Sequence, residues 1–471
     1  MAPNRNRIGA VSFIPKDMKY FLLTIMCLFY VDAYSQFGPQ QIITQAADGS
    51  KWIIATDIDG DGYKDVASAN QFGSNLTWYK NLDRHGTFGP ENIIASLNQT
   101  FFISDADIDG DGDIDVMAVS FAQDKIVWYE NLDGQGNFSV QNIISNTTDG
   151  AYCVVAGDLD GDGDMDVISG SDFSGLAWYE NLDGQGVFFK HLIDNNVSGT
   201  RSVVVIDVDG DSDLDIVGNS TAPNKTYWIE NVDGLGTFGA PNSIYEMGQY
   251  VTKVIAADVD GDGDTDVLTA SSGDNEIAWF ENLDGLGNFG PKNTITNTLV
   301  DAWTVYAADL DNDGDIDVLA TSTEPFGGEI VWFENLDGQG NFSAKKTIST
   351  QVQSPRSVIA ADIDNDGDMD VIASSLVDDT IAWYENYTIL GVEENQIDTI
   401  KIYPNPTEGL IYISSKKEPI IGATIFDILG KKVLQLDGNI QQLDISNLQN
   451  GMYFLQITTD TGAIVQKIIK E

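Results

Sequence analysis

One nine-residue pattern, Asp-x-Asp-x-Asp-Gly-x-x-Asp, occurs seven times in this chain, with Ser212 replacing the glycine of the fourth copy. Successive copies start 49 to 53 residues apart. The first aspartates are Asp57, Asp107, Asp158, Asp207, Asp258, Asp309 and Asp362. Each copy is followed by a tryptophan, at Trp78, Trp128, Trp178, Trp228, Trp279, Trp332 and Trp383. A period near 50 residues with strand-like segments is typical of a propeller or a solenoid.

Each repeat unit contains four short segments with strand patterns. Residues 203–206 form a continuous apolar, β-branched run, which is typical of a strand covered on both faces. In the preceding unit, the next two segments are residues 166–169 and 176–179, the latter with apolar residues on both faces, and residues 188–193 are more polar, as expected of an outer strand. Turn residues separate these segments and no sustained helical period is present, so we predict an all-β fold.

The two ends of the repeat region distinguish a closed ring from an open array. The seventh unit stops at Trp383-Tyr384-Glu385-Asn386 and lacks its outer strand. The segment Phe37-Gly38-Pro39-Gln40-Gln41-Ile42-Ile43 matches the outer-strand segment that starts at Phe88 in the first unit. A displaced outer strand pairs the two ends and removes exposed sheet edges. We therefore predict a seven-bladed β-propeller over residues 37–388, with residues 37–44 closing the last blade.

The repeated aspartates have the spacing of a calcium loop. Asp158, Asp160 and Asp162 take positions 1, 3 and 5, the carbonyl of Asp164 takes position 7, and Asp166 takes position 9. Ca²⁺ binds six to eight oxygen ligands in flexible geometry, whereas Mg²⁺ demands a stricter octahedron. The corresponding ligands of the other loops are Asp57, Asp59, Asp61, Tyr63 and Asp65; Asp107, Asp109, Asp111, Asp113 and Asp115; Asp207, Asp209, Asp211, Asp213 and Asp215; Asp258, Asp260, Asp262, Asp264 and Asp266; Asp309, Asp311, Asp313, Asp315 and Asp317; and Asp362, Asp364, Asp366, Asp368 and Asp370.

The alternative is a surface turn that binds no metal. Four carboxylates held this close repel one another unless they are protonated or bound to a cation, so seven such loops favour metal binding. We predict about seven Ca²⁺ ions, with the affinity of the fourth loop in question because of Ser212. The chain has 24 Lys and Arg against 73 Asp and Glu, a formal charge of −49, which argues against binding to nucleic acid or anionic lipid.

These Asp loops and their spacing resemble the FG-GAP or VCBS repeats, which also form the propeller of the integrin α-subunit. The resemblance covers residues 37–388. It implies a propeller used mainly for binding, as in adhesion, glycan recognition or assembly with a protein partner.

The C-terminal part has a different composition and resembles an export signal. Residues 389–397 are predicted to be a linker, and residues 397–471 contain 7 Lys and 8 acids, so the acid excess lies in the repeats. The segment Ile402-Tyr403-Pro404-Asn405-Pro406 and the short strands after it resemble the C-terminal sorting domain of type IX secretion cargo. We predict a small Ig-like β-sandwich over residues 398–471, which would bind the type IX secretion machinery. An accessory Ig-like domain is the alternative.

The N-terminus has the order of a secretory signal peptide. Lys19 precedes an apolar run from Phe21 to Val31, and Ala33-Tyr34-Ser35 places small residues where cleavage is expected. We predict a signal peptide over residues 1–35 and a secreted or outer-membrane-surface protein. No other long apolar run is present, so no transmembrane segment is expected in the mature chain.

Strand order places the Asp loops on one face of the propeller and the variable connections on the other. Variable loops on a rigid scaffold are typical of recognition sites. Six residues before each first aspartate, where an inner strand should begin near the axis, stand Lys51, Phe101, Tyr152, Arg201, Thr252, Trp303 and Arg356. Aromatic rings and arginines around a channel mouth suit a sugar or peptide, so we predict that Phe101, Tyr152, Arg201, Trp303 and Arg356 bind ligand. The alternative is that they only plug the channel.

The sequence favours a binding or adhesion module for glycans or proteins over an enzyme. His85, His191 and Cys153 are not in a pattern that indicates catalysis, and we predict no catalytic residue. Two alternatives remain open. One is a calcium-dependent polysaccharide lyase or another glycan-active enzyme, and the other is a structural component of the cell surface.

Overall fold

The computed structural model describes residues 36–194, 197–246, 248–324 and 327–388, and, nearer the C-terminus, residues 400–403, 405–407, 409–415, 420–427, 431–438, 440–459 and 463–470. The predicted signal peptide (residues 1–35) and the predicted linker (residues 389–397) lie outside the described residues. The regular elements of the described part are all β-strands, so the prediction of an all-β chain is confirmed.

The described residues of the repeat region contain twenty-eight strands. In chain order they are β1 (Gln41–Thr44), β2 (Ser50–Thr56), β3 (Asp65–Asn70), β4 (Asn75–Tyr79), β5 (Asn92–Ser96), β6 (Thr100–Ala106), β7 (Asp115–Ser120), β8 (Lys125–Tyr129), β9 (Asn142–Ser145), β10 (Ala151–Gly157), β11 (Asp166–Ser171), β12 (Leu176–Asn181), β13 (Phe188–Asp194), β14 (Val203–Ile206), β15 (Asp215–Thr221), β16 (Asn224–Ile229), β17 (Asn242–Tyr245), β18 (Val251–Ala257), β19 (Asp266–Ser271), β20 (Glu276–Phe280), β21 (Asn293–Thr296), β22 (Ala302–Ala308), β23 (Asp317–Ser322), β24 (Gly328–Phe333), β25 (Lys346–Val352), β26 (Pro355–Ala361), β27 (Asp370–Ser375) and β28 (Ile381–Tyr384).

These strands form antiparallel four-stranded sheets, each corresponding to one repeat unit. Sheets 1 to 6 are β2–β5, β6–β9, β10–β13, β14–β17, β18–β21 and β22–β25, and sheet 7 contains β26, β27, β28 and β1. All residues of the second strands β3, β7, β11, β19, β23 and β27 are buried. Strands covered on both faces are expected where sheets pack face to face.

Sheet 7 is assembled from the two ends of the repeat region. In this sheet β1 pairs antiparallel with β28, placing Gln41 opposite Trp383 and Ile42 opposite Ala382. The pairing continues beyond the strand, because the Gly38 amide donates to the Glu385 carbonyl at 2.7 Å. The outermost strand of the last sheet is therefore the first strand of the chain.

The first strands of neighbouring sheets contact one another in sequence order. This series runs through β2, β6, β10, β14, β18, β22 and β26, and β26 in turn contacts β2. The repeated four-stranded sheets and these contacts are consistent with a propeller whose first strands surround a central axis.

The repeated tryptophans pack between adjacent sheets. Trp78 and Trp383 are buried. Gly136, in the turn of sheet 2, has a φ of 79°, and a Cβ at this position would overlap the ring of Trp78 in sheet 1. Gly86 in sheet 1 has the same relation to Trp383 in sheet 7. Glycine at these turns therefore allows each sheet to approach the tryptophan of the sheet before it.

The C-terminal part forms two sheets around one core. Its strands are β29 (Ile400–Tyr403), β30 (Leu410–Ser415), β31 (Ile420–Asp427), β32 (Lys432–Asp437), β33 (Gln442–Asp444), β34 (Gly451–Thr459) and β35 (Ala463–Lys470). One sheet has the order β29-β30-β33 and the other β32-β31-β34-β35. Buried side chains from both sheets, including Ile411, Ile425 and Leu455, share one apolar cluster.

Candidate functional site

Each Asp loop connects the first and second strands of its sheet and is closed by its own carboxylates. In the second loop, Asp107 Oδ2 accepts a hydrogen bond from the Gly112 amide at 3.0 Å, and Asp111 Oδ1 accepts one from the Asp113 amide at 2.9 Å. The same two bonds recur in the other six loops. Ser212 donates its amide to Asp207 with a φ of 79°, so the fourth loop keeps this turn without the glycine.

The aspartate at position 9 is the buried anchor of each loop. Asp115 is fully buried, and its two carboxylate oxygens accept from the amides of Ile108 at 3.0 Å and Asn131 at 2.8 Å. Burial raises the pKa of the Asp115 carboxyl to about 7, although these two hydrogen bonds oppose the shift. Equivalent bonds are present in all seven sheets.

Carboxylates of the loops come close enough to share one cation. In the second loop, oxygens of Asp107, Asp109 and Asp115 lie within 4.8 Å of one another. Similar groups are Asp57, Asp59 and Asp61; Asp158, Asp160 and Asp162; Asp207, Asp209 and Asp215; and Asp258, Asp260 and Asp262. Burial, followed by repulsion from Asp111, raises the pKa of Asp109. The charged form of Asp109 is therefore unfavourable unless a cation binds beside it.

The position-3 carboxylates also fit a hard cation by their unsatisfied oxygens. Within the described residues, one buried oxygen of each of six such carboxylates has no hydrogen-bond partner: Oδ1 of Asp59, Asp109, Asp209, Asp260, Asp311 and Asp364. A buried carboxylate oxygen without a partner is costly, and coordination of Ca²⁺ would satisfy it. The donor set consists of oxygens alone, which is the set that Ca²⁺ prefers.

A ring of asparagines links each loop to the next sheet, and sequence reasoning missed it. The Asn181 side chain in sheet 3 donates to the Ile108 carbonyl inside the second loop at 3.0 Å. We call the seven equivalent residues the Asn ring: Asn81, Asn131, Asn181, Asn231, Asn282, Asn335 and Asn386. Asn81 in sheet 1 donates to Ile363 in the loop of sheet 7, so these bonds run around all seven sheets. The repeated Asn-Leu-Asp-Gly sequence is the feature from which these asparagines could have been identified.

The first loop differs from the others in the residue before its ring asparagine. Six sheets have a glutamate there, at Glu130, Glu180, Glu230, Glu281, Glu334 and Glu385, and the first has Lys80. Lys80 Nζ lies 2.8 Å from Asp61 Oδ2 and also bonds Asp59. Bonding to these two carboxylates raises the pKa of Lys80. The first loop therefore has a side-chain cation, the ammonium of Lys80, bonded to its carboxylates.

The residues predicted to form the channel mouth lie close together. Lys51 Nζ is 3.0 Å from the ring centroid of Phe101 and 4.7 Å from that of Tyr152. The Arg201 guanidinium is 5.0 Å from the Tyr152 ring, and the Arg356 guanidinium is 3.8 Å from the Trp303 ring. We call these residues, with Thr252, the channel mouth. Thr252 itself is buried, and its hydroxyl donates to the Trp303 carbonyl at 2.7 Å.

A bulge sets the position of most mouth residues. In six first strands the pairing with the second strand shifts at the mouth residue. The shift lies between Ser50 and Trp52 around Lys51, and between Ala302 and Thr304 around Trp303. A bulged residue is left out of the pairing ladder and its side chain is redirected. The bulges therefore take the mouth side chains of six successive first strands out of the pairing with the second strands.

Residues of the variable loops join the mouth and were not predicted. Phe121 stacks on Phe101 with ring centroids 4.7 Å apart. Asp172 accepts from Arg201 Nε at 3.2 Å, and the Tyr250 hydroxyl accepts from the same guanidinium. These partners come from connections whose sequences differ between units, so a repeat pattern could not identify them.

Residues that follow the mouth residues in the first strands form a second cluster of aromatic and charged side chains. Trp52 and Phe102 stack with centroids 4.4 Å apart, and Lys253 Nζ lies 4.5 Å from the Trp52 ring. Burial lowers the pKa of Lys253 to about 8. These residues line a cavity of about 290 Å³ together with Ser104 and Tyr306 from neighbouring first strands.

Two residues that were considered for catalysis are Cys153 in β10 and His191 in β13. Cys153 is buried, and burial raises the pKa of its thiol to about 12. His191 Nε2 lies 2.6 Å from Glu180 Oε2, and its ring stacks on Trp178 at 4.3 Å.

Comparison with known protein families accounts for the Asp loops. The description "FG-GAP-like repeat" fits six overlapping segments, residues 57–118, 107–169, 158–218, 207–269, 258–320 and 316–373, which together span more than half of the chain. The chain belongs to the FG-GAP-like repeat family. The resemblance inferred from the residues is thereby confirmed, and the FG-GAP-like repeats coincide with the described sheets and their loops.

The residues after the FG-GAP-like repeats match a second family. Residues 401–471 match the secretion system C-terminal sorting domain, as the sequence predicted. This domain indicates secretion and attachment to the cell surface. Among the described residues, no helix has the length and apolar character needed to cross a bilayer.

Individual known proteins match this FG-GAP-like repeat chain over a short segment or at low sequence identity. Ulvan lyase NLR42 from Nonlabens ulvanivorans is 31% identical over 96 residues, which are 20% of this chain and 18% of the lyase. The crystal structures of BBS1N in complex with ARL6DN, soaked with lead or with mercury, each cover 75% of this chain and 97% of their own. Both superpose with a TM-score of 0.52 at 10% identity, which shows a shared fold alone.

Proposed function

We propose that this chain is a secreted or cell-surface calcium-binding β-propeller. It acts as a binding or adhesion module for a glycan or protein ligand. The observation that carries this proposal is the difference between its two faces. One face repeats the same carboxylate loop in every unit, whereas the other has variable loops around a mouth of cations and aromatic rings. A uniform face suits a structural role and a variable face suits recognition.

The proposed architecture is a closed seven-bladed propeller over residues 37–388, followed by a linker and an Ig-like sandwich over residues 398–471. The contact of β26 with β2 and the bond from Asn81 to Ile363 support closure. The sorting domain supports export by the type IX machinery, for which a signal peptide over residues 1–35 is the expected first step.

We further propose that six loops bind Ca²⁺ strongly and that the first binds it weakly. A bound ion would be held by the position 1, 3 and 5 carboxylates, the position-7 carbonyl and the position-9 carboxylate. The ammonium of Lys80 already neutralises part of the first loop and blocks access to Asp59 and Asp61. In the other loops a glutamate stands near the position-3 carboxylate, as Glu130 does near Asp109.

Replacing Lys80 should therefore add an ion. We expect the full chain to hold about six Ca²⁺ after gel filtration in micromolar Ca²⁺, and the K80E variant to hold about seven, because a competing cation becomes a carboxylate. Elemental analysis per mole of protein measures this. K345E makes the same charge change at an exposed ion pair with Glu329 and should leave the count unchanged. Equal counts for K80E and the parent chain would contradict the role of Lys80.

The binding function is tested on an array of glycans and extracellular matrix proteins. We expect the calcium-loaded full chain to retain a small set of ligands and to lose them after chelation, because the loops support the scaffold of the mouth. If no ligand is retained while calcium still raises the unfolding midpoint, a structural component of the surface becomes the better description.

A polysaccharide lyase is the second proposal, and the similarity to a segment of ulvan lyase NLR42 favours it. Lyase action on a uronic acid polymer leaves an unsaturated product that absorbs in the ultraviolet. Appearance of this absorbance during incubation with the full chain would replace the binding proposal with an enzymatic one.

A further inference from the structure

The channel mouth concentrates positive charge in a strongly acidic chain. Lys51, Arg201 and Arg356 face one another there, although the formal charge of the whole chain is −49. The Arg201 guanidinium is bonded to Asp172. All three cations contact aromatic faces, Lys51 over Phe101, Arg201 over Tyr152 and Arg356 over Trp303. A cluster of three cations around one opening therefore has one directly bonded carboxylate.

Two of these cations are mostly buried, and one of them has a buried donor without a partner. Lys51 is 9% exposed, and in the described part of the chain its ammonium makes neither a hydrogen bond nor an ion pair. Arg356 Nε is buried and has no hydrogen-bond partner among the described residues. Leaving a buried charged donor such as Arg356 Nε unpaired costs free energy, and an anion that enters the mouth would recover it.

The direction of the pKa shift of Lys51 agrees with its position beside two other cations. Burial lowers its pKa well below the usual range, and the neighbouring Arg356 and Arg201 lower it further. The repulsion among the three cations decreases when a negative group lies between them.

We propose that the channel mouth binds a carboxylate or sulfate group of an acidic glycan, with Lys51 and Arg356 holding the anion and Trp303 and Tyr152 packing against the sugar ring. This inference rests on the proposed binding function and narrows it to one ligand class. A guanidinium recognises carboxylate and sulfate through paired N–H donors. The cations lie directly against aromatic rings, which suits a ligand that carries its charge on a rigid ring more than a flexible acidic peptide.

Exposed aromatic side chains extend this surface beyond the mouth. Tyr250 is 40% exposed and bonds Arg201, and Phe173, beside Asp172 in the same variable loop, is 67% exposed. Aromatic rings that surround an anion site provide apolar contact area for neighbouring sugar units.

The test is calorimetric titration of the calcium-loaded full chain with four probes. They are a uronic acid oligosaccharide, a sulfated oligosaccharide, a neutral oligosaccharide of the same length and an acidic peptide. We expect an acidic oligosaccharide to bind at least tenfold more tightly than the neutral one, and the first two probes distinguish carboxylate from sulfate. Equal affinity for the neutral probe, absence of binding to both acidic sugars, or binding of the peptide alone would overturn the proposal.

The variants K51M and R356Q should each weaken binding of the acidic oligosaccharide at least tenfold. K345Q removes a charge from an exposed ion pair and should bind like the parent chain. K51M should also unfold at a temperature no lower than the parent chain, because it replaces a mostly buried charge with an apolar side chain. Unweakened binding by a folded K51M would contradict the assignment. The calcium-dependent rise in the unfolding midpoint should be the same in these variants and in the parent chain. A failure of the glycan proposal can therefore be distinguished from a failure of the calcium proposal.

Discussion

Removal of calcium should lower the unfolding midpoint of the full chain by more than about 10 °C. A ligand that binds only the folded state at 100 times its Kd adds about 2.7 kcal/mol per site, or about 16 kcal/mol over six sites. The structure gives a second reason, because each metal-free loop holds several carboxylates whose repulsion the ion removes. Thermal unfolding followed by circular dichroism, with excess Ca²⁺ or excess chelator, measures the effect.

Two controls separate coordination from charge screening. Sodium chloride at matched ionic strength should recover little of the lost midpoint, although it screens the repulsion among the 73 acidic residues. Magnesium should recover less than calcium at equal concentration, because it demands stricter octahedral geometry. A midpoint that is unchanged by chelation, or recovered fully by sodium chloride, would contradict metal binding at the Asp loops.

Replacement of Asn181 by alanine should destabilise the folded state by about 2–4 kcal/mol. The side chain is fully buried, donates to Ile108 in the second loop and accepts from the Gly186 amide at 3.1 Å. Its removal leaves a buried carbonyl and a part-buried amide unpaired, and a buried group left unpaired costs about 1–3 kcal/mol. Urea unfolding at saturating calcium measures the loss.

The same variant should also weaken calcium binding in the second and third loops. Ile108 lies between two predicted ligands of the second loop, and the Asn181 side chain also donates to the carbonyl of Met165, between two predicted ligands of the third loop, at 3.2 Å. Titration should therefore show about two weakened sites. N137A removes an exposed asparagine from the neighbouring turn and should change stability by less than about 0.5 kcal/mol. Equal stability of N181A and N137A would show that the Asn ring does not couple the sheets.

Local patterns made the fold class and the loop composition predictable. The period of about 50 residues and the alternation of apolar segments indicated repeated antiparallel strands, and the structure has a four-stranded sheet for each unit. The carboxylate spacing indicated clusters of oxygen ligands, and oxygens of Asp107, Asp109 and Asp115 do converge. Both features depend on residues that are close in sequence.

Contacts between sheets were not predictable in the same way. The carbonyl that Asn181 binds lies 73 residues earlier in the chain, and a backbone acceptor leaves no mark in the sequence. Lys80 can be recognised in the sequence because the other six units have glutamate at this position. Its bonds to Asp59 and Asp61 could not be predicted, because they depend on how the turn folds back onto the loop. Thr252 was grouped with the mouth by its register, yet its short side chain hydrogen-bonds the neighbouring strand.

The pairing of β1 with β28 has a consequence for the order of events during synthesis and export. About 340 residues separate Gln41 from its partner Trp383. A chain that has emerged from the ribosome, or from a translocation pore, as far as sheet 6 still lacks the strand that its own beginning must join. The β1 segment stays unpaired until the last repeat has emerged, so sheet 7 can be completed only when the whole repeat region is available.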